Sequence, residues 1–588
     1  MLPIFSSSMK LLKLSTCALI LVLALPACNV LPDAIKNDSR KMPPPINNAA
    51  IRSDAKVTKT VEEQAELMYL LMLAEIAAQQ GELDISVQSY LEAAQLTDDP
   101  AIAERATRVA SFARDYKAAM QAAERWAELQ PGNLDVHHSL VILYLRNNEL
   151  DKAVNTIDKV LELTSNGKVQ GFGHLVALLS NESDKDAVLS LMNRISNKYP
   201  EIPEAHYAFA RLAFQSDQQE LAKAEVEKAI QLKPDYQDAR SLLARILMAQ
   251  GETDAALQVM KKLVDENPKS SSQRAAYARL LAVAKRYDDA LKEFQEVLKD
   301  NPENGDIIYA IALLTLEQRK FKTSEKYFRQ LIAKRKRVYE SYYYLGNIAE
   351  NRKKNDEAVG WYKQVTHGQN KIDAGIRVAH LLSKKGQLDQ ARAYLKAIDT
   401  EDPDLSIRLT VVEIDIMSEA NKLQEAMTVA NQALVAYPNN SDILYARSLL
   451  AEKMDNLLMT EADLRTILIA EPENVHALNA LGYTLADRTD RLMEAYGYIQ
   501  KAYKLAPDEP AVLDSMGWVL YRMGRPEEAI RYLRGALAIM PDDEIAAHLG
   551  EVLWVTGMKA EAKKVWNKAL EAKPDSTHIR DVLKRFKQ

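Results

Sequence analysis

Cysteine is nearly absent from this chain. The two that occur, Cys17 and Cys28, both lie in the first 28 residues. Once a leader ending before Cys28 is removed, only one remains, so no disulfide can staple the mature chain to itself. An excess of positive charge is also missing. Lys and Arg number 76 against 82 Asp and Glu, a net −6, and removing residues 1–27 takes out Lys10 and Lys13 and no acid, leaving −8. General nucleic-acid binding needs a basic surface that displaces counterions, and this composition argues against it. Signatures of catalysis are lacking too: there is no G-x-S-x-G, no H-E-x-x-H and no phosphate-binding G-x-x-x-x-G-K-S/T. Gly171 and Gly173 imitate the start of a dinucleotide fingerprint, but no strand precedes them. The nine histidines are scattered, and the adjacent His137 and His138 fall on different helical faces, so no shared metal site is expected. The carboxylates read as a solvated surface. The expectation is no enzyme, no cofactor and no metal.

What is abundant is repetition. In DSMGWVLYRMGRPEEAIRYLRGAL (514–537), Gly524 is followed by Ala529, Leu533 and Ala536, and then by Pro541. One step on, the same frame gives Gly557, Ala562, Trp566, Ala569 and Pro574; one step back it gives Ala495, Ile499, Ala502 and Pro507. The small residue of the frame forms a ladder: Ser86, Ala119, Ala153, Ala187, Ala222, Ala256, Ala290, Ser324, Ala358, Ala391, Ala426, Thr460, Ala495, Ala529, Ala562. Each step is 33, 34 or 35 residues, the mark of stacked units. Within a unit, apolar residues recur at helical spacing on both sides of turns such as QGE (250–252) and MGR (523–525). Units join through NPKS (267–270), EPEN (471–474) and MPDD (540–543), where proline ends one helix and a polar residue opens the next. The ladder residue is small because antiparallel helices approach to about 8–10 Å only over a short side chain.

LGYTLADR (481–488) and MGWVLYRMGRPEEAIRYLRGALAIMP (516–541) resemble the tetratricopeptide (TPR) repeat over nearly the whole mature chain. The resemblance implies an all-α TPR solenoid of about 15 helix-turn-helix units over residues 61–574, in a right-handed superhelix of roughly two turns. Its groove would be lined by the first helix of each unit. Residues 575–588 read as an amphipathic capping helix. The fourth unit departs from the pattern: QGFGHL (170–175) places two glycines in its first helix, which predicts a looser or kinked repeat.

Residues 9–28, MKLLKLSTCALILVLALPAC, have a basic start, a short apolar run and a cleavage-site cysteine. The run is too short for a convincing membrane span. LPAC (25–28) resembles a bacterial lipobox, which implies a signal peptide over 1–27 and lipidation of Cys28; the alternative is a plain secretory signal and a soluble periplasmic protein. Asn29 is not the aspartate that retains lipoproteins at the inner membrane, so the resemblance favours the outer membrane, facing the periplasm. Residues 28–60, polar and bearing Pro43, Pro44 and Pro45, read as a flexible tether.

In the TPR frame, groove positions lie 15, 11 and 8 residues before the ladder residue. The middle position gives Arg211, Arg245 and Arg279 in three successive units; Tyr207, Phe214, Met248, Tyr309, Tyr343, Asn347, Tyr445, Trp518, Tyr521 and Trp554 occupy the groove around it and further along. Arginine beside aromatic rings is the composition of protein-binding hot spots. The alternative is that these arginines pair with acids on adjacent helices while the aromatics fill gaps. The carboxylate clamp of cytosolic TPR co-chaperones is not present, because Tyr343 stands where its lysine would. RKFKTSEKYFRQLIAKRKR (319–337) carries nine Lys/Arg and one Glu, either a patch for an anionic partner or a solvated face.

The C-terminal pair of units (514–537 and 541–570) is similar to the end of a family of proteobacterial TPR lipoproteins. One member is the lipoprotein binding partner of a carboxy-terminal processing protease. The resemblance implies an adaptor that gathers a periplasmic protease and its protein substrates, peptidoglycan hydrolases among them. The rival is a structural scaffold of an outer-membrane secretion or polysaccharide-export complex.

Overall fold

The computed structural model describes residues 60–586 apart from 165, 166 and 399. The leader, Cys28 and the tether lie outside those residues. Among the described residues there are 31 α-helices and no strand. None of these helices is long and apolar enough to cross a membrane.

Most helices pack chiefly on a neighbour in sequence, Gly167–Leu179 packs most on Pro203–Gln215, and first helices also touch the first helix of the following unit, as Gln237–Ala249 touches Ser271–Val283. The described residues divide into two compact bodies, 60–314 and 315–586. In the first body a continuous apolar core runs from Leu70 to Leu212, followed by a second cluster from Ala210 to Ile246. In the second body the main cluster runs from Leu444 to Val582. No single centre organises either body; the core is a seam extended by each added unit.

Local chemistry sets the helix ends. At several junctions the polar residue after the joining proline caps the next first helix: Asn133 Oδ1 accepts from Asp135 N (2.9 Å), Asn474 Oδ1 from Ala477 N (3.0 Å) and Ser270 Oγ from Gln273 N (3.4 Å), whereas Tyr236 and Glu509 hold the same place without a side-chain cap. Second helices begin differently. In most of them the residue before the N-cap takes a left-handed conformation, as Gly251 (φ 83°), Gly524 (φ 77°), Arg114 (φ 61°), Lys285 (φ 59°) and Asp455 (φ 60°) do. Glycine adopts that geometry at no steric cost; the other residues are held there by the helices they join.

The ladder is buried in fourteen of its fifteen units, but the fourth requires a correction. Ser86, Ala119, Ala290, Ala529 and Ala562 are all fully buried, each four residues after the N-cap of its second helix. In the fourth unit the N-cap is Asp184, so the buried position is Val188, 1% exposed, while Ala187 is half-buried and donates its backbone N–H to Asp184 Oδ1 (2.9 Å). Nor do the two glycines break that unit. Gly167–Leu179 is one uninterrupted helix, and Gly171 lets it approach the preceding helix so closely that a Cβ would sit 2.5 Å from Leu161 Cδ2.

The last helix, Thr577–Arg585, caps the second body. It buries Ile579 and Val582, and Phe586 lies against Trp554 and Trp566 at 5.9 and 6.4 Å between ring centroids.

Candidate protein-binding surface

In the first body, Arg211, Arg245 and Arg279 each stand nine residues after the N-cap of a first helix (202 to 211, 236 to 245, 270 to 279). Equal phase on equivalent helices makes them a strip. Arg211 lies over Tyr207, 5.9 Å from the ring centroid, and Tyr207 packs on Tyr236 at 5.0 Å. Arg245 lies over Phe214 of the preceding unit at 5.3 Å. Met248, half-buried, is one turn beyond Arg245.

None of the three guanidiniums has a carboxylate within 4.0 Å or a hydrogen-bond acceptor among the described residues. Other arginines on the same helices do. Arg240 pairs with Glu266 (2.5 Å) and Arg274 with Glu293 (2.6 Å), each linking a first helix to its own second helix. The ion-pairing alternative for the strip is therefore not what the described residues present. Although the Arg245 side chain reaches solvent, the surrounding helices strip enough water to lower its pKa, with Arg211 adding repulsion. Burial lowers that of Arg279 as well, against the opposing field of Asp306. Tyr309, in Gly305–Glu317, is buried.

The second body has a different chemistry in this frame. Tyr343 is buried between Tyr344 (5.4 Å) and Tyr362 (5.7 Å). Asn347 is half-buried and accepts from Asn351 Nδ2 through its carbonyl (2.9 Å) and side chain (3.1 Å). Tyr445 stands 6.3 Å from His476. Trp518 stacks on His548 at 4.3 Å, donates its indole N–H to Asp487 (3.1 Å) and meets Tyr521 at 5.4 Å. Trp554 lies 5.7 Å from Trp566, with the Lys559 and Lys563 ammonium groups over its ring at 5.1 and 5.7 Å.

Three participants here escape a fixed-offset frame. Tyr483, nine residues after the Asn474 N-cap, holds the position of Trp518, nine residues after Glu509. The extra residue at the end of Val475–Arg488 shifts its offset from the ladder by one. Tyr483 Oη reaches two units on, to Glu544 Oε1 (3.4 Å) and His548 Nε2 (3.5 Å). His548 Nδ1–H donates to Asp514 (3.0 Å); burial opposes its charge, but Asp514 outweighs it and raises the pKa.

Carboxylates recur along this stretch. Burial, with Glu419 nearby, pushes Asp415 up to about 6, and burial with Glu544 and Asp487 nearby raises Glu452. No group of three or more potential metal ligands occurs among the described residues.

Profiles of the tetratricopeptide repeat match residues 113–171, 213–280 and 520–585, and a second such profile matches 309–371. TPR repeat-containing protein PA4667 of Pseudomonas aeruginosa is 40% identical over 511 residues, covering 86% of each chain. A BBSome complex member BBS4 homolog of Drosophila melanogaster is 27% identical over 121 residues, 21% of this chain and 25% of that protein. Among solved structures, the Cut9–Hcn1 hetero-tetramer of the APC/C aligns over 86% of this chain and 96% of the matched chain, at 15% identity and a TM-score of 0.29. A thermophilic TPR protein of Thermus thermophilus aligns over 30% of this chain and 95% of its own, at 21% identity and a TM-score of 0.28. Repeats of this kind are interaction scaffolds for other proteins rather than catalytic centres. The chain belongs to the tetratricopeptide repeat family.

Proposed function

We propose that this protein is a non-enzymatic adaptor that delivers substrates, peptidoglycan hydrolases among them, to a periplasmic carboxy-terminal processing protease. On this reading a lipid on Cys28 anchors it to the outer membrane, and the tether holds the repeats in the periplasm. The observation that carries the reading is the change of chemistry along equivalent first-helix positions. Residues 211–279 offer unpaired arginines, whereas residues 415–554 offer the half-buried carboxylates Asp415 and Glu452 and the half-buried rings of Tyr445, Tyr521 and Trp554. One chain with two unlike strips suits two unlike partners. Holding a protease and its substrate on one scaffold makes their encounter effectively intramolecular, at local concentrations on the order of millimolar for short flexible links.

The test is affinity capture of the lipidated protein from crosslinked membranes, followed by mass spectrometry. Co-purification of a processing protease together with cell-wall hydrolases, and longer hydrolase half-lives when the gene is deleted, supports the adaptor. Recovery of outer-membrane pore subunits instead, with hydrolase turnover unchanged, would overturn it in favour of a structural scaffold.

A further inference from the structure

We infer that the strip formed by Arg211, Arg245 and Arg279 is a binding site for an extended acidic segment of a partner polypeptide. This rests on the adaptor reading for its biological setting, and on the side chains themselves for its chemistry.

The carboxylates that pair on these helices pair with other arginines, and among the described residues the only acid whose field reaches the strip is Asp306, beside Arg279. Arg240 and Arg274, on the same helices, are neutralised from within. The strip is left without ion pairs among the described residues, and the field of Arg211 disfavours the charge on Arg245. Two of the three guanidiniums lie over aromatic rings, Arg211 over Tyr207 and Arg245 over Phe214. A ring beneath a guanidinium fixes its plane and leaves its edge donors free, which suits a two-pronged grip on a carboxylate. Incoming anions would relieve the repulsion and satisfy the donors together.

The register fixes the shape of the ligand. Neighbouring helix axes are about 10 Å apart, so the strip spans about 20 Å across three units. An extended chain rises about 3.3 Å per residue and covers that span in about six residues. A compact anion such as phosphate meets one arginine; a run of Asp or Glu meets all three.

The probe is a fluorescein-labelled twelve-residue oligo-glutamate, read by fluorescence anisotropy on the full chain, with oligo-glutamine of equal length beside it. The unsubstituted protein should bind oligo-glutamate at least tenfold more tightly than oligo-glutamine, and more weakly as salt rises. The triple variant Arg211→Gln, Arg245→Gln, Arg279→Gln should bind oligo-glutamate at least tenfold more weakly. Arg240→Gln, which removes a positive charge already paired, should bind within twofold of the unsubstituted protein. If circular dichroism finds the triple variant misfolded, Arg245→Gln alone must weaken binding at least threefold. Equal affinity for the two peptides, or undiminished binding by a folded variant, overturns the inference. The adaptor reading is scored separately, by whether the unsubstituted protein captures a protease at all.

Discussion

Replacing Gly517 with alanine should loosen one repeat, and the same exchange at Gly497 should tighten another. Both glycines lie inside helices, Pro510–Arg522 and Leu492–Leu505. A Cβ at Gly517 would stand 2.5 Å from Leu533 Cγ and 3.1 Å from the Ala529 carbonyl, and a backbone oxygen cannot be turned aside. Overpacking of this kind costs about 1–3 kcal/mol, and the better helix propensity of alanine returns about 1 kcal/mol. The net loss is about 1 kcal/mol, roughly a fivefold larger open population. At Gly497 a Cβ would meet nothing within 4 Å, so only the gain of about 1 kcal/mol remains. A long repeat array need not unfold in one step, so a global midpoint is the wrong measure. Hydrogen exchange read by mass spectrometry on peptides covering 492–539 reports each unit separately. Protection should fall about fivefold around Gly517→Ala and rise about fivefold around Gly497→Ala. Changes of the same sign at both sites would refute the claim that close helix approach, rather than backbone freedom, decides which glycines the fold needs.

Ala290→Leu, at a fully buried ladder position, should cost about 1–3 kcal/mol and expose its unit to exchange, while leaving units two steps away unchanged. The buried His206–Glu225 pair should make its unit sensitive to pH. His206 donates from Nδ1 to Glu225 (2.7 Å) and from Nε2 to the Pro200 carbonyl (3.0 Å), and the Glu225 bond raises its pKa. Its contribution is complete below the ordinary histidine value and is lost as pH rises through the raised one. Burial pushes the Glu225 carboxyl up, but hydrogen bonds from His206 and Lys228 hold it below its ordinary value, so its contribution is lost only as pH falls through that lowered value. Protection of residues 203–232, corrected for the intrinsic exchange rate, should therefore decline on the alkaline side, and His206→Gln should abolish that decline. Ile579→Ala, in the fully buried anchor of the capping helix, should cost about 2–5 kcal/mol and shift the fluorescence of Trp554 and Trp566 to the red.

The repeat itself was legible because its period survives every local change of residue. Register errors arose where one unit changed length or substituted the marker. At 187–188 an alanine sits beside a valine, and only the Asp184 cap shows which of them enters the core. At 475–488 an added residue hides the equivalence of Tyr483 and Trp518, although LGYTLADR aligned on its glycine against MGWVLYRM would have revealed it. Gly171 suggested weakness because propensity counts the cost of a missing side chain and not the space it vacates for Leu161. The arginine strip could be placed from spacing, since helical phase follows from residue number. Whether its charges were paired could not, because partners come from other helices and depend on rotamers.

The left-handed corner before most second helices accepts lysine, arginine, asparagine, aspartate or glycine. The joint that folds a hairpin back on itself thus demands geometry and almost no particular residue. Such a chain can gain or lose a whole module by duplication or excision between matching corners, with the downstream wall still in phase. Its reach can be edited in increments of about 34 residues, while a cut inside a unit would leave one hairpin incomplete and disturb its stacking on its immediate neighbours.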